Sequence, residues 1–106
     1  MPWITLLFAG LLEIVWATSM KFSHGFTRPA ASAITIVAMI GSFALLSLAM
    51  KSLPLGTAYT VWTGIGALGA FVLGIVALGE QASPMRIAAA LLILCGMVMM
   101  KLATPQ

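Results

Sequence analysis

The chain has 106 residues, of which 62% are hydrophobic and only 7% are charged. Soluble domains carry about 25% charged residues, so this composition indicates an integral membrane protein with little mass outside the lipid. At about 20 residues per membrane span, the length allows at most four helices and excludes a separate soluble domain. The net charge of +3 is spread along the chain, whereas nucleic-acid binding needs clustered basic residues, so we expect no nucleic-acid partner.

Four apolar segments, separated by breaks rich in charge, glycine and proline, predict an all-α membrane protein. Helices are the only option for these spans, because lipid cannot satisfy free backbone groups. The predicted helices cover about residues 3–21, 30–50, 57–78 and 85–102, in a single transmembrane domain over residues 1–106. The first segment lacks the basic start and the clear cleavage site of a signal peptide, so we expect it to be retained.

Glu13, in the first predicted helix, is one of only two acidic residues in the chain. A carboxylate placed mid-membrane costs roughly 2.5–3.5 kcal/mol on insertion scales, and by default it binds a cation, a proton, or each in turn. Its neighbours one turn away on the same helix face are Ala9, Gly10, Trp16 and Ala17. Gly10 is small enough to let another helix or a ligand approach. Trp16 lies too deep for an interfacial anchor and offers an aromatic face to a cation.

The second and third predicted helices add polar and aromatic candidates. Ser42 is the mid-span polar residue of the second helix, and its hydroxyl suits either a carboxylate or ligand or a back-bond to its own helix. In the third helix, Tyr59 and Trp62 share a face and both can donate to a carboxylate, although Tyr59 is shallow enough for an interfacial aromatic belt. Gly64 and Gly66 are compatible with a kink, with close packing of small residues, or with both.

The fourth predicted helix is rich in small residues and has no inward polar residue besides Cys95, so we interpret it as a dimerisation helix. His24 is interpreted as a solvated loop residue and Glu80 as a structural or topological charge at a helix end. The single cysteine allows no intrachain disulfide. The sequence also holds no metal-ligand constellation, nucleophile–base pair or phosphate loop. We therefore expect no enzyme activity, cofactor or metal.

Lys and Arg are nearly balanced between the two sides of the membrane. The first and third loops carry Lys21, Arg28 and Arg86, while the second loop and the C-terminal end carry Lys51 and Lys101, with the free amine on the same side. This balance is compatible with insertion in both orientations, or with a bias that the count is too coarse to show. Insertion in both orientations would allow an antiparallel homodimer, whose inverted symmetry one chain lacks.

The chain resembles the small multidrug resistance transporter family along essentially all of its length. The resemblance is carried by two stretches, Gly10–Ala17 followed by Lys21, and Lys51–Gly66. The spacing of Gly10 and Trp16, three residues on either side of Glu13, resembles the guanidinium-exporter subtype rather than the broad drug-exporter subtype.

The resemblance implies an antiparallel, dual-topology homodimer in the bacterial inner membrane. It implies proton-coupled export of guanidinium ion, with small guanidinyl compounds as further substrates. The residue that binds protons and substrate would be Glu13, the hinge of the third helix would be Gly64 and Gly66, and the fourth helix would form the dimer contact. The other residues that the resemblance places in or beside the binding site are Gly10, Trp16, Ser42, Tyr59 and Trp62.

Two Glu13 side chains, one from each subunit, would titrate as a coupled unit. Guanidinium is planar and a multiple hydrogen-bond donor, so it matches carboxylate geometry and would compete with protons for this pair. One alternative is export of quaternary-ammonium or polyaromatic cations through cation–π contacts with Trp16, Tyr59 and Trp62. Another alternative is a non-transporting subunit of a heteromeric small transporter, in which each partner would have a fixed charge bias.

Overall fold

The computed structural model describes residues 2–104, and these form four α-helices joined by short connections. Each of the four is long and apolar enough to cross a membrane. The predicted four-helix, all-α fold is therefore confirmed, and no strand occurs within the described residues. The helices are α1 (Pro2–Phe22), α2 (Pro29–Ala49), α3 (Leu55–Leu78) and α4 (Pro84–Ala103), and no bound differs by more than two residues from the predicted one.

Local chemistry explains where α3 ends and α4 begins. Gly79 follows α3 with a φ of 69°, in the left-handed region that glycine adopts without steric cost, and the Glu80 N–H donates back to the Gly74 carbonyl at 3.0 Å. Ser83 caps α4, because its Oγ accepts a hydrogen bond from the Arg86 N–H at 3.3 Å. Pro84 then occupies the first turn, where its missing N–H costs nothing.

The helix α1 packs against both α2 and α3, whereas the backbone of α4 packs only against α3 and its Lys101 reaches the Trp3 ring of α1 at 4.9 Å from the centroid. The buried core therefore lies among α1, α2 and α3, together with the connection between α2 and α3. The helix α4 has no buried residue. The core side chains are Leu6, Ala9, Leu46, Ala49, Leu53, Ala58, Val61 and Trp62.

Glycines bring the backbones of α1 and α3 close together. A Cβ placed on Gly10 would lie 2.6 Å from the Ile65 Cβ, far inside van der Waals contact. On the other side of the interface, Gly69 gives room to the Ile14 side chain. These two contacts, one on each helix, fix the height of α1 along α3.

Candidate intramembrane binding site

Glu13 lies in the middle of α1 and is half-buried at the interface with α3. Its carboxyl group rests against the bare backbone of Gly66, where an added Cβ would overlap Oε1 and the carboxyl carbon. Oε1 is buried and has no hydrogen-bond partner among the described residues. A buried acceptor without a donor costs about 1–3 kcal/mol, and more when it is charged. The carboxyl group is therefore set to take up a donor from outside the chain.

Trp16, one turn further along α1, carries a buried hydrogen-bond donor that lacks an acceptor within residues 2–104. Its Nε1–H is buried and has no acceptor within the part of the chain that the structure describes. Buried polar groups in native proteins are almost always hydrogen-bonded, and those that are not call for an explanation. The face of α1 thus carries a free acceptor and a free donor one turn apart, as expected of a binding surface that is completed by a ligand or a second chain.

Ser42 joins the three core helices through two hydrogen bonds. Its Oγ donates to the Ala9 carbonyl of α1 at 2.7 Å and accepts from the Trp62 Nε1–H of α3 at 3.0 Å. All three groups are in the buried core. The hydroxyl thus bonds neither the Glu13 carboxylate nor its own helix, two of the options that the sequence left open, and a bond to a ligand stays a prediction. In this state Ser42 and Trp62 hold the helices around the site in register.

Four aromatic rings form a continuous row across the site. The centroids of Trp16 and Phe43 are 6.2 Å apart, those of Phe43 and Trp62 are 5.8 Å apart, and those of Trp62 and Tyr59 are 5.5 Å apart. Spacings and tilts of this kind are favourable for ring pairs. The row brings Trp16 of α1 together with Trp62 of α3, while Tyr59 lies at its exposed end.

Phe43 is the residue that sequence reasoning missed. It is the only aromatic residue of α2 and lies one turn from Met39, and these facts were available from the sequence. The position offered no polar chemistry, so nothing singled it out before its contacts with Trp16 and Trp62 were seen.

Neighbouring side chains fill the space beside the two expected hinge glycines. α3 runs without interruption through Gly64 and Gly66. A Cβ on Gly64 would lie 3.1 Å from the Met97 Cγ of α4, whereas Gly66 faces Glu13. Gly10, expected to let another helix or a ligand approach, receives Ile65 of α3. The structure therefore shows close packing at all three glycines, and a hinge at Gly64 and Gly66 stays a prediction.

Glu80 and His24 lie away from this site. Glu80 pairs with Arg86 at 3.6 Å after the end of α3. His24 is exposed in the loop after α1, and its φ of 50° lies in the left-handed region. No group of three or more His, Cys, Asp or Glu side chains that could hold a metal ion occurs in residues 2–104.

Four apolar helices and one intramembrane carboxylate define a multi-pass membrane protein with a candidate binding site inside its spans. Comparison with known proteins gives the family. The family model described as "Small Multidrug Resistance protein" matches residues 1–94. The chain belongs to the small multidrug resistance family, as the resemblance indicated.

Curated relatives cover nearly the whole chain. It is 61% identical over 104 residues to the "Guanidinium exporter" of Escherichia coli strain K12, covering 98% of this chain and 99% of the relative. It is 60% identical over the same shares to the proteins of that name from Citrobacter freundii and Salmonella typhimurium. The chain is thus a multi-pass protein of the bacterial inner membrane, and these relatives are named as exporters rather than enzymes.

Proposed function

We propose that this chain exports guanidinium ion in exchange for protons, with Glu13 as the group that binds both. The observation that carries the proposal is the buried, unpartnered Glu13 Oε1 in the middle of α1. The relatives that are 60–61% identical over 104 residues, and named guanidinium exporters, support the choice of substrate.

The chemistry of guanidinium matches the unpartnered hydrogen-bond acceptor of Glu13. Guanidinium is a planar cation that carries only donors, and a carboxylate accepts two parallel hydrogen bonds from such a fork. A proton satisfies the same oxygen atoms, so the two ligands exclude each other. Loading from one side of the membrane and release to the other, alternately for each ligand, gives exchange without any covalent step.

A second copy of the chain completes the site in this proposal. Guanidinium cannot satisfy the Trp16 Nε1–H, because both are donors. A carboxylate can, and a second subunit would bring another Glu13 close to Trp16 of the first. α4 packs mainly on α3 and has no buried residue, so it is free to contact a second copy. The near balance of Lys and Arg between the two sides supports an antiparallel arrangement of two identical four-helix domains.

The remaining site residues then have distinct roles. Ser42 and Trp62 hold α1, α2 and α3 in register through their hydrogen bonds. Trp16 and Tyr59 line the site from the two ends of the aromatic row. Gly10 lets α3 approach α1, and bending of α3 at Gly64 and Gly66 would open access to one side at a time.

Transport by purified protein in liposomes tests the proposal. With a pH gradient imposed, wild-type protein is expected to accumulate guanidinium against its own gradient, and Glu13→Gln is expected to abolish accumulation. Glu80→Gln is the matched control, because it removes the other carboxylate, which lies outside the site and pairs with Arg86. Gradient-driven uptake by Glu13→Gln protein would refute the assigned role of Glu13. Absence of uptake by the wild-type chain alone would favour the heteromeric subunit.

The aromatic row favours one second candidate, an exporter of quaternary-ammonium or polyaromatic cations. Four rings between Trp16 and Tyr59 offer faces for cation–π contacts. The rings contact one another along the row and Trp62 is held by its hydrogen bond to Ser42, so a large aromatic cation would have to part the rings in order to lie between them. Comparing uptake of guanidinium with uptake of tetraphenylphosphonium in the same liposomes separates the two candidates.

A further inference from the structure

A groove runs between α1 and α3 on the side of the first and third loops. It encloses about 300 Å³, and α1 contributes Ala17, Thr18 and Lys21 to its lining. The ends of three spans meet here, since α1 ends at Phe22, α3 ends at Leu78 and α4 begins at Pro84. The mouth of the groove therefore lies at the depth of lipid headgroups, while its inner wall runs toward the middle of the spans. The rest of its lining is Ala67, Ala70, Phe71, Leu78, Glu80 and Arg86.

The mouth of the groove carries an excess of positive charge. Lys21 is exposed, and neither its ammonium group nor the Thr18 hydroxyl has a hydrogen-bond or ion-pair partner among the described residues. Arg86 donates to the Gln81 carbonyl at 2.7 Å and lies 3.6 Å from Glu80, with its side chain still 42% exposed. Two cations, one anion and a free hydroxyl thus face one opening, which leaves a net charge of about +1 for an anionic group.

A second, smaller cleft begins at the same place. It encloses about 210 Å³ between α3 and α4, and it shares Ala67, Phe71 and Arg86 with the groove. The Arg86 guanidinium stands over the Phe71 ring at 5.4 Å from its centroid, at the crest between the two openings. Apart from Arg86, the cleft is lined only by apolar side chains: Ala67, Leu68, Phe71, Ala89, Ala90 and Ile93.

We propose that the α1–α3 groove and the α3–α4 cleft together bind one anionic diacyl phospholipid. The headgroup phosphate lies between Lys21 and Arg86 and accepts a hydrogen bond from Thr18. One acyl chain enters the α1–α3 groove and the other enters the α3–α4 cleft, on either side of Phe71. Basic side chains that converge between transmembrane helices at the headgroup level, above apolar clefts, are the features that recognise such lipids. The headgroup end of this site lies at the ends of the spans, away from Glu13, and binding there does not depend on what the chain transports.

Native mass spectrometry of the detergent-purified, full-length protein tests the proposal, with dioleoyl phosphatidylglycerol and dioleoyl phosphatidylcholine as probes. Wild-type protein is expected to bind phosphatidylglycerol more tightly than phosphatidylcholine. Lys21→Gln is expected to weaken phosphatidylglycerol binding about fivefold, as for loss of one basic group near a lipid surface, and to leave phosphatidylcholine binding unchanged. Lys51→Gln removes a basic residue from the other side of the membrane and is expected to change neither affinity.

Two further variants separate lipid binding from diffuse charge and from misfolding. Glu80→Gln removes the anion beside Arg86 and is expected to strengthen phosphatidylglycerol binding, a gain that a misfolded protein cannot show. Ala70→Phe fills the α1–α3 groove and is expected to weaken binding of both lipids. Equal losses in Lys21→Gln and Lys51→Gln would overturn the proposal, because the effect would then be general attraction.

Two other outcomes would also overturn it. Soluble glycerophosphoglycerol that binds as tightly as phosphatidylglycerol would show a phosphate site without acyl-chain clefts. An Ala70→Phe protein that loses its dimer in chemical crosslinking, together with equal binding of both lipids by wild-type protein, would show that a second copy covers the groove.

Discussion

Gly66 shows at the scale of one residue how the backbone makes room for chemistry. The sequence suggested a kink, close packing or both for Gly64 and Gly66, because glycine allows each. In the structure the two positions differ in what fills them, since Gly64 receives the flexible Met97 side chain and Gly66 receives the Glu13 carboxyl group. Gly66 therefore leaves the space in which the Glu13 carboxyl group lies, whether or not α3 also bends there.

This difference predicts unequal effects of the same substitution. Gly66→Ala places a methyl group where the Glu13 carboxyl group lies, and we expect guanidinium affinity to fall by at least about tenfold, because small misplacements of a binding group are costly. Gly64→Ala meets the end of Met97, which can move, so we expect only a small change in affinity. Guanidinium concentration series in liposome uptake measure both affinities.

A hinge makes the opposite prediction for this pair. If α3 must bend at both glycines, the two variants would lose maximal transport rate to a similar extent and keep the affinity of wild-type protein. That outcome would contradict the proposed role of Gly66 in leaving space for the Glu13 carboxyl group. Thermal unfolding of each variant in detergent provides the control for loss of fold.

The chemistry of single residues was largely readable from the sequence, but their partners were not. A carboxylate inside an apolar segment is visible without a structure, as are a mid-span hydroxyl and paired aromatic residues. That Ser42 would bond the Ala9 carbonyl of another helix was not visible, because periodicity gives the face of a helix but not the helix that it meets. The role of Phe43 escaped for the same reason.

At the scale of the elements, one hydroxyl connects three helices. Ser42→Ala would leave the Trp62 indole N–H and the Ala9 carbonyl without their common partner. We expect a loss of about 1–2 kcal/mol in the free energy of unfolding, since interhelical hydrogen bonds in membranes are individually weak but unpaired buried groups are costly. Unfolding of the detergent-purified protein by denaturant, followed by tryptophan fluorescence, measures the loss.

Ser47→Ala is the matched control for this prediction. Ser47 lies on the same helix but is exposed, so the same chemical change should alter the free energy of unfolding by less than about 0.5 kcal/mol. Equal stability of the two variants would show that the Ser42 hydrogen bonds do not hold the helices together.

At the scale of the whole molecule, hydropathy determined the spans but not their arrangement. Every predicted helix is present, because each apolar segment matches the thickness of the bilayer and is bounded by breakers. The central position of α1 and the packing of α4 mainly on α3 depend on which glycines meet which side chains. A single chain also leaves Glu13, Trp16 and α4 incompletely satisfied, which is why the proposed unit is two chains.

A site built from two Glu13 carboxylates predicts how mixed assemblies behave. If wild-type and Glu13→Gln chains are co-expressed in equal amounts and pair at random, about one quarter of the dimers carry two carboxylates, half carry one, and one quarter carry none. Since both carboxylates are needed to exchange protons for guanidinium, gradient-driven uptake should fall to about one quarter of the wild-type value. Uptake near one half would mean that each chain works with its own Glu13 alone, and it would contradict a shared site. Mixing the two proteins in separate liposomes provides the control, because without subunit exchange uptake must follow the wild-type fraction.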